Sequence, residues 1–238
     1  MAEISGFGEI EFVRSDRANN IRVRIFQGGL KVTLPSRATE DDAIQFIRSV
    51  EDKIRRKQDK IEKGQQRQQL IIDENTQLKT LTFTVNAQSS ERKNIYFFLK
   101  NSVLKIEYPK ETDCTRTEIQ TYFWNGIAYF LRKEAKRILP ERTRQLAEKF
   151  GFHFRCVKIQ SSKSRWGSCS REGNINLSFY LLLLPAYLVD YVILHELCHT
   201  KEMNHGVNFW HGLNRVTEHK SDELKAELKK YTMPILKS

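Results

Sequence analysis

The sequence predicts an α+β protein, because short stretches of alternating apolar and polar residues occur beside longer stretches whose apolar residues recur at helical spacing. Residues 21–26 and 30–35 alternate in this way, and the turn residues 27–29 between them predict a β-hairpin. Residues 39–63 follow, with acidic residues in the first turn and isoleucines at helical spacing, which indicates a long amphipathic helix ending at Gly64. The N-terminal part should therefore be a small sheet with a long helix.

Three further strands and two helices are predicted in the middle of the chain. The strands are residues 81–85, 94–100 and 103–109. A helical pattern covers residues 115–139, and Pro140 then opens a second helix that continues to Phe150 and ends at Gly151. The middle of the chain is thus expected to pass from sheet to helix.

The C-terminal third combines two short strands with an apolar helix and a charged helix. Residues 154–160 and 174–179 have the strand pattern, and the stretch rich in Ser and Gly between them predicts a loop. After Pro185 an apolar helical pattern continues to His199, and a charged helix is predicted over residues 221–231. The apolar helix should be buried against the small sheet.

Length and composition limit the classes of protein to which this chain can belong. The 238 residues divide into a β-rich part, residues 1–112, and a part dominated by helices, residues 113–238. The proportions of 39% hydrophobic and 29% charged residues are typical of folded globular domains. The first residues lack the pattern of a secretory signal, and the longest apolar tract, residues 179–194, is shorter than the roughly 20 residues of a membrane span. Four cysteines without a CxxC pair favour a reducing, cytoplasmic location with no membrane association. No pattern in the sequence indicates an oligomeric state.

The positive charge is concentrated in one segment. The chain has a net charge of +11, and residues 131–165 hold 11 Lys or Arg against 3 Glu. Such a segment could neutralise nucleic-acid phosphates, attract an acidic protein, or simply form the solvated face of a helix. The candidate nucleic-acid contacts are Arg132, Lys133, Lys136, Arg137, Arg142 and Arg144.

The stretch HELCHTKEMNH, residues 195–205, contains three histidines in a chain that has six. On a helix, His195 and His199 stand one turn apart on the same face, which lets two imidazoles bind one metal ion. Glu196 lies one residue further round and could serve as a base toward water. The alternative is a pair of histidines that caps the C-terminus of the helix, but the apolar residues just before His195 predict burial, and buried polar groups need partners.

His205 is the expected third ligand. It lies ten residues after His195, just beyond a helix break predicted at Asn204, so the chain can fold back toward the first two histidines. The alternatives for this third position are Glu202, Glu218 and His211. Three protein ligands would leave one position of a tetrahedral zinc ion open, which is typical of a catalytic site.

Other residues near the histidines have simpler interpretations. Cys198 should be a small buried apolar residue, and Phe209 and Trp210 are interpreted as core. Cys169 could act as a nucleophile with a histidine, but no oxyanion-hole pattern surrounds it. A metal-dependent hydrolase is therefore favoured over a cysteine hydrolase.

Four stretches of the sequence together resemble a known family. They are SKSRWGSCS, NINLSF, DYVILHELCH and NHGVNFW, which lie between residues 162 and 210. They resemble the YgjP-like metallopeptidase domain, which is related to the SprT and WLM groups of zinc proteases. The resemblance implies a C-terminal zincin-like part with its HExxH helix packed on a small sheet, zinc held by His195, His199 and His205, and Glu196 as the general base.

The resemblance also implies a substrate-binding region near the metal. It implies that the RWGSCS loop, with Arg165, Trp166 and Ser168, lies close to the metal, and that the following strand, which contains Asn176, edges the cleft and pairs with the substrate backbone. The spacing of the histidines also occurs in metzincins, HExxHxxGxxH, but Glu202 stands at the glycine position. This departure favours the SprT-like arrangement.

Three functions are compatible with these patterns. The leading expectation is a zinc endopeptidase that, by analogy with SprT and WLM proteases, acts on DNA-associated proteins. The first alternative is a nucleic-acid-binding or scaffold protein with a structural zinc. The second is a hydrolase of small amides that uses the same metal-activated water.

Overall fold

The computed structural model describes residues 7–26, 29–56, 70–162 and 164–232 of the chain. These residues form mixed α+β structure with small sheets, as the sequence predicts. The chain divides into two compact units, Met1–Gln68 and Gln69–Ser238. The division of the chain between residues 112 and 113 stays a prediction from the sequence pattern.

The first unit contains a three-stranded sheet. Its strands are β1 (Glu9–Arg14), β2 (Arg22–Phe26) and β3 (Gly29–Leu34), in the order β1-β3-β2. Strands β2 and β3 are antiparallel, which confirms the predicted hairpin, while β1 pairs in parallel with β3. Two of the predicted turn residues, Gln27 and Gly28, lie outside the described residues. Strand β1 itself was not predicted.

Helix α1 (Glu40–Ser49) packs against this sheet. A capping box between Thr39 and Asp42 starts it, because each side chain accepts a hydrogen bond from the backbone N–H of the other residue. The helix ends at Ser49, earlier than predicted, and residues 51–56 are again helical. Residues 57–63 of the predicted long helix, and its expected end at Gly64, lie outside the described part of the chain.

The second unit begins with a four-stranded sheet. The strands are β4 (Leu78–Lys79), β5 (Thr84–Ser90), β6 (Tyr96–Lys100) and β7 (Val103–Pro109), in the order β4-β5-β7-β6. Strand β7 has the predicted bounds. Asn101 and Ser102 connect β6 to β7 with positive φ angles of 50° and 59°, which are suited to a tight hairpin.

Helix α2 (Thr117–Phe150) is a single helix, so the prediction of two helices meeting at Pro140 is wrong. Proline cannot donate to the carbonyl four residues earlier, which belongs to Lys136. Lys136 lies on the exposed side of the helix, where its carbonyl can bond to water instead, and the buried residues on the opposite side keep the helix continuous. The helix ends at Gly151 with a left-handed φ of 68°, as predicted.

A third sheet supports the C-terminal helices. Its strands are β8 (Cys156–Gln160), β9 (Gly167–Cys169) and β10 (Asn174–Ser178), in the order β8-β10-β9. Strand β9 lies inside the stretch predicted to be a loop, and it pairs in antiparallel fashion with β10. Because β10 is central and paired on both sides, the expectation that its backbone edges a cleft is wrong. The free edge in this part of the sheet belongs to β9.

A 3₁₀ helix (Phe179–Leu183) leads from β10 to helix α3 (Ala186–Cys198), and helices α4 (Val207–Val216) and α5 (Ser221–Leu228) complete the unit. Most of α3 is buried, because nine of its residues are closed off from solvent by α2, β9, α4 and α5. None of the helices in the described residues is both long enough and apolar enough to cross a membrane. The end of α3 is therefore held by the core of the unit.

Candidate metal centre

Three histidine rings converge where helix α3 ends. His195 lies in the last turn of α3 and His199 is its C-cap residue, so the two rings lie on the same side with centroids 5.0 Å apart. The chain then turns back, and Nε2 of His205 lies 3.1 Å from Nε2 of His195. One candidate ligand atom from each of the three residues lies within 4.8 Å of the other two.

This arrangement fits a small divalent metal ion. Zn–N bonds of about 2.0–2.1 Å in a tetrahedral site place two ligand nitrogens about 3.4 Å apart. The 3.1 Å between His205 and His195 is close to that separation. Within the part of the chain that the structure describes, Glu202, Glu218 and His211 do not join the cluster. The geometry thus brings His205, rather than one of the alternatives, to the other two histidines.

Hydrogen bonds orient two of the histidines. Nδ1 of His199 lies 3.0 Å from the carbonyl oxygen of Glu202, which can only accept, so Nδ1 carries the proton and Nε2 is left with its lone pair. The indole N–H of Trp210 donates to the carbonyl oxygen of His205 at 3.1 Å. The contact of Nδ1 of His199 with a carbonyl oxygen is typical of histidines that bind a metal through the other ring nitrogen.

Burial keeps two of the histidines neutral. Burial first, and the charges of His199, His205 and Lys225 after it, lower the pKa of His195 to about 3. Burial also lowers the pKa of His199, against the hydrogen bond to Glu202. The neutral imidazole is the form that binds a metal ion. The two residues are therefore ready to act as ligands at neutral pH without first losing a proton.

Glu196 is buried beside the histidines. Its exposed fraction is 6%, and burial raises its pKa to about 7, while the positive charge of Arg165 acts in the opposite direction. Strand β9 covers its side chain closely, because a Cβ atom at Gly167 would lie 2.8 Å from both Cγ and Oε1 of Glu196. Glycine at position 167 thus makes room for the carboxylate.

Phe209 of helix α4 lies beneath all three histidines. Its ring is 1% exposed and stacks on His199 with a centroid distance of 4.5 Å. The centroids of His195 and His205 lie 4.9 Å and 4.6 Å from it. The sequence interpretation of Phe209 as core is correct, but it missed this contact with the site. The sequence offered one signal, the position of Phe209 only four residues after His205.

The predicted substrate-binding residues lie on and beside β9. Asn176 faces Ser168 across the β9–β10 pair and donates to its Oγ at 3.4 Å, and Gln160 donates to Asn176 at 2.8 Å. Trp166 packs partly buried against the core, whereas Arg165 is exposed. Arg165 is thus the one of the four predicted residues with an exposed side chain, and its charge reaches Glu196.

Neither cysteine near the site has the properties of a nucleophile. Burial and the negative charge of Glu196 raise the pKa of Cys169 to about 11. Burial raises the pKa of Cys198 to about 11 as well, and this residue is 3% exposed, as the sequence predicted. Both thiols stay protonated at neutral pH, which does not suit nucleophilic catalysis.

The predicted nucleic-acid residues lie on α2, and three of the six form ion pairs. The pairs are Arg137 with Glu134, Arg142 with Asp190, and Arg144 with Glu141 and Glu148. The guanidinium of Arg132 lies 5.0 Å from the ring centroid of Phe179, and Lys133 and Lys136 are exposed. Much of the positive charge on α2 is therefore balanced within the protein.

Comparison with known proteins identifies the family. No curated protein matched the chain. One solved structure did: the crystal structure of the metallopeptidase zymogen of Pyrococcus abyssi abylysin, with 24% identity over 38% of this chain and 90% of that chain, and a TM-score of 0.34. The family model described as "YgjP-like, metallopeptidase domain" matches residues 19–231. Because that match covers most of the chain, this protein belongs to the YgjP-like family of metallopeptidases, whose members use a metal ion to hydrolyse peptide bonds.

Proposed function

We propose that this protein is a zinc endopeptidase with a zincin-like site, in which His195, His199 and His205 hold the zinc. The observation that carries the proposal is the convergence of three imidazole rings beside one buried carboxylate, Glu196. A ligand set of neutral imidazoles suits zinc among the common divalent metals, and three protein ligands leave one position open. When bound, zinc would lower the pKa of a water molecule in the open position and polarise the substrate carbonyl.

Glu196 is the proposed general base. Its pKa of about 7, which burial raises, is close to neutral pH, so the carboxylate can both accept and return a proton. It would take a proton from the water that attacks the scissile carbonyl and pass it to the leaving nitrogen. Its position one residue from His195 places the carboxylate beside the ligands without making it one of them.

The free edge of β9 is the proposed binding surface for the substrate backbone. Ser170, just after β9, donates its backbone N–H to Asn174, and Trp166, just before β9, accepts from Ser178, so alternate residues along this stretch direct their backbone groups toward β10. Gly167 and Cys169 lie between them and direct theirs away from β10. An extended polypeptide could pair with these groups, next to Glu196. Arg165, at the start of this edge, could then contact the substrate through its exposed side chain.

The proposal is tested with Glu196→Gln. We expect digestion of casein by the zinc-loaded full chain to fall by about 10²–10⁴-fold, because the amide cannot accept the proton. Zinc content, measured by atomic absorption, should not change. A variant that retains activity would contradict the role of the base. A wild-type chain that binds zinc and turns over small amides but no polypeptide would instead favour an amidase, and zinc binding with no turnover at all would favour a structural zinc.

The third ligand is tested separately with His205→Ala, for which His211→Ala is the matched control. Because His211 lies outside the cluster, zinc affinity measured by competition with a chromogenic chelator should fall only in the first variant. Equal losses in the two variants would remove His205 from the ligand set.

Action on DNA-associated proteins is the remaining part of the proposal, and it rests on the basic segment 131–165. Arg132, Lys133 and Lys136 are the proposed phosphate contacts in it, because the other three candidates have acidic partners on the protein. If these residues bind phosphates, the affinity for single-stranded DNA should fall linearly with salt on logarithmic axes. Lys133→Gln should make that slope shallower by about 0.7, the value for one phosphate contact on a single strand. A flat salt response would remove nucleic acid as a partner.

The cytoplasmic location of the protein stays a prediction from the sequence.

A further inference from the structure

The three histidines differ in how firmly secondary structure holds their backbone. His195 belongs to helix α3 and His199 caps it, so hydrogen bonds of the helix fix the backbone of both. His205 follows a stretch beyond the helix cap, residues 200–204, and precedes Gly206, the N-cap of α4. Apart from its two chain neighbours, no atom would lie within 4 Å of a Cβ atom at Gly206, so nothing packs against that side of the residue. The position of His205 must therefore depend on other contacts.

Trp210 supplies such contacts on both sides of the connection. Its indole N–H donates to the carbonyl oxygen of His205 at 3.1 Å, and its backbone N–H donates to the carbonyl oxygen of Gly206 at 3.2 Å. The indole ring also lies beside the imidazole of His205, with a centroid distance of 5.8 Å and an interplanar angle of 33°. One residue thus holds the backbone on either side of the bond from His205 to Gly206.

Trp210 is itself held from two directions. The ring of Phe209 meets it edge-on at a centroid distance of 5.3 Å. Lys225 of helix α5 places its Nζ 4.3 Å from the centroid of the indole, a geometry in which the ammonium is attracted by the aromatic face. The contacts therefore run from α5 through Lys225 and Trp210 to His205.

We propose that Trp210 is a positioning residue for the third metal ligand, and that Lys225 keeps its indole in place. This inference rests on the proposed function, in which His205 is that ligand. The hydrogen bond fixes the backbone of His205 before the metal arrives, so that less conformational entropy is lost on binding. Losing a contact of this kind typically weakens metal affinity by about 10–100-fold.

The decisive variant is Trp210→Phe, which keeps an aromatic ring and removes the N–H donor. We expect its zinc affinity, measured by chelator competition on the full chain, to fall about 10–100-fold. Trp124→Phe is the matched control, because the indole N–H of Trp124 also donates to a carbonyl oxygen, that of Leu70, at 3.4 Å, but no ligand is involved. Unchanged affinity in Trp210→Phe, or an equal loss in Trp124→Phe, would overturn the inference.

A double-mutant cycle separates positioning from a general effect on the fold. In a His205→Ala background, Trp210→Phe should cause no further loss of zinc affinity, because the ligand through which it acts is gone. The same loss in both backgrounds would overturn the inference while leaving the proposed function intact. Wild-type affinity in His205→Ala alone would reject His205 as a ligand and the inference with it, so the two failures are distinguishable.

Cobalt provides a spectroscopic readout. The visible absorption of bound Co²⁺ depends on its coordination geometry, so the spectrum of Trp210→Phe at saturating cobalt should differ from that of the wild type. Trp124→Phe should have the wild-type spectrum, since the hydrogen bond that it removes is made to Leu70 and not to one of the three histidines. Identical spectra for the wild type and Trp210→Phe would contradict a positioning role.

Discussion

Helices α2 and α3 differ in how many ionisable residues they carry and in how far those residues are exposed to solvent. On α2 the charges are abundant and mostly exposed, and several form ion pairs, as where Arg144 contacts Glu141 and Glu148 at 2.6 Å and where Arg142 contacts Asp190 of α3. On α3 they are few and largely closed off from solvent, and burial displaces the pKa of His195 and Glu196 toward the neutral forms. The two helices contact each other, yet their ionisable groups lie in very different surroundings.

This difference in exposure indicates which ionisable residues of the chain are more informative about chemical function. Exposed ion pairs contribute little to stability and are screened by salt, so their number says little about purpose. Burying a carboxylate such as Glu196 costs free energy, and a protein retains such a group where it serves a role. The segment with the highest charge density is therefore a weaker indicator of function than the few ionisable groups in the apolar helix.

The largest expected effect comes from removing the ring beneath the buried histidines. Phe209→Ala should lower the free energy of unfolding of the metal-free chain by about 3–5 kcal/mol, because it leaves a cavity under His199. It should also weaken zinc binding. Urea denaturation and chelator competition measure the two quantities.

Phe123→Ala on α2 is the control for this prediction. Phe123 is fully buried, so its truncation should destabilise the chain similarly while leaving zinc affinity unchanged. Equal losses of zinc affinity in the two variants would mean that Phe209 affects metal binding no more specifically than a buried residue of α2 does. Phe209→Leu, which removes less volume, should give an intermediate loss of stability and keeps the comparison usable if the alanine variant does not fold.

A smaller effect is expected from crowding the buried carboxylate of α3. In Gly167→Ala the added methyl group would lie 2.8 Å from Oε1 of Glu196, so the carboxylate must shift. We expect kcat to fall about 10–100-fold, because small displacements of a catalytic group are costly. Zinc affinity should stay near that of the wild type, since Glu196 is not a proposed ligand. In Gly212→Ala the added methyl group has no atom within 4 Å apart from its chain neighbours and the backbone of its own helix, so kcat should not change. Wild-type kcat in Gly167→Ala would argue against Glu196 as the base.

The smallest effect is expected from the exposed charges of α2. Arg144→Gln breaks the contacts to Glu141 and Glu148 and should lower the free energy of unfolding only slightly, because water and salt screen exposed ion pairs. Urea denaturation at about 1 M salt, where the Debye length is about 3 Å, should show almost no difference from the wild type. A loss of stability as large as that of Phe123→Ala would mean that these pairs matter as much as buried groups do.

Local sequence patterns predicted individual helices and strands well, but they did not predict which segments lie next to one another in the fold. The bounds of β7 and the end of α2 at Gly151 were predicted correctly, because alternation and a left-handed glycine act within a few residues. Pro140 was misjudged, since its tolerance depends on which side of α2 faces the solvent. Strand β9 was missed because three residues show no alternation of their own and become a strand only by pairing with β10.

The amino-acid sequence by itself determined that His195, Glu196 and His199 would be presented together, because the helical period places residues four apart on one face. It also determined the family. The tertiary structure brought His205, rather than Glu202, Glu218 or His211, close to the other two histidines, placed Gly167 against Glu196, and set Phe209 beneath the rings. These outcomes depend on how separate segments fold onto one another, and residue spacing along the chain does not encode the distance between segments that meet only in the folded protein.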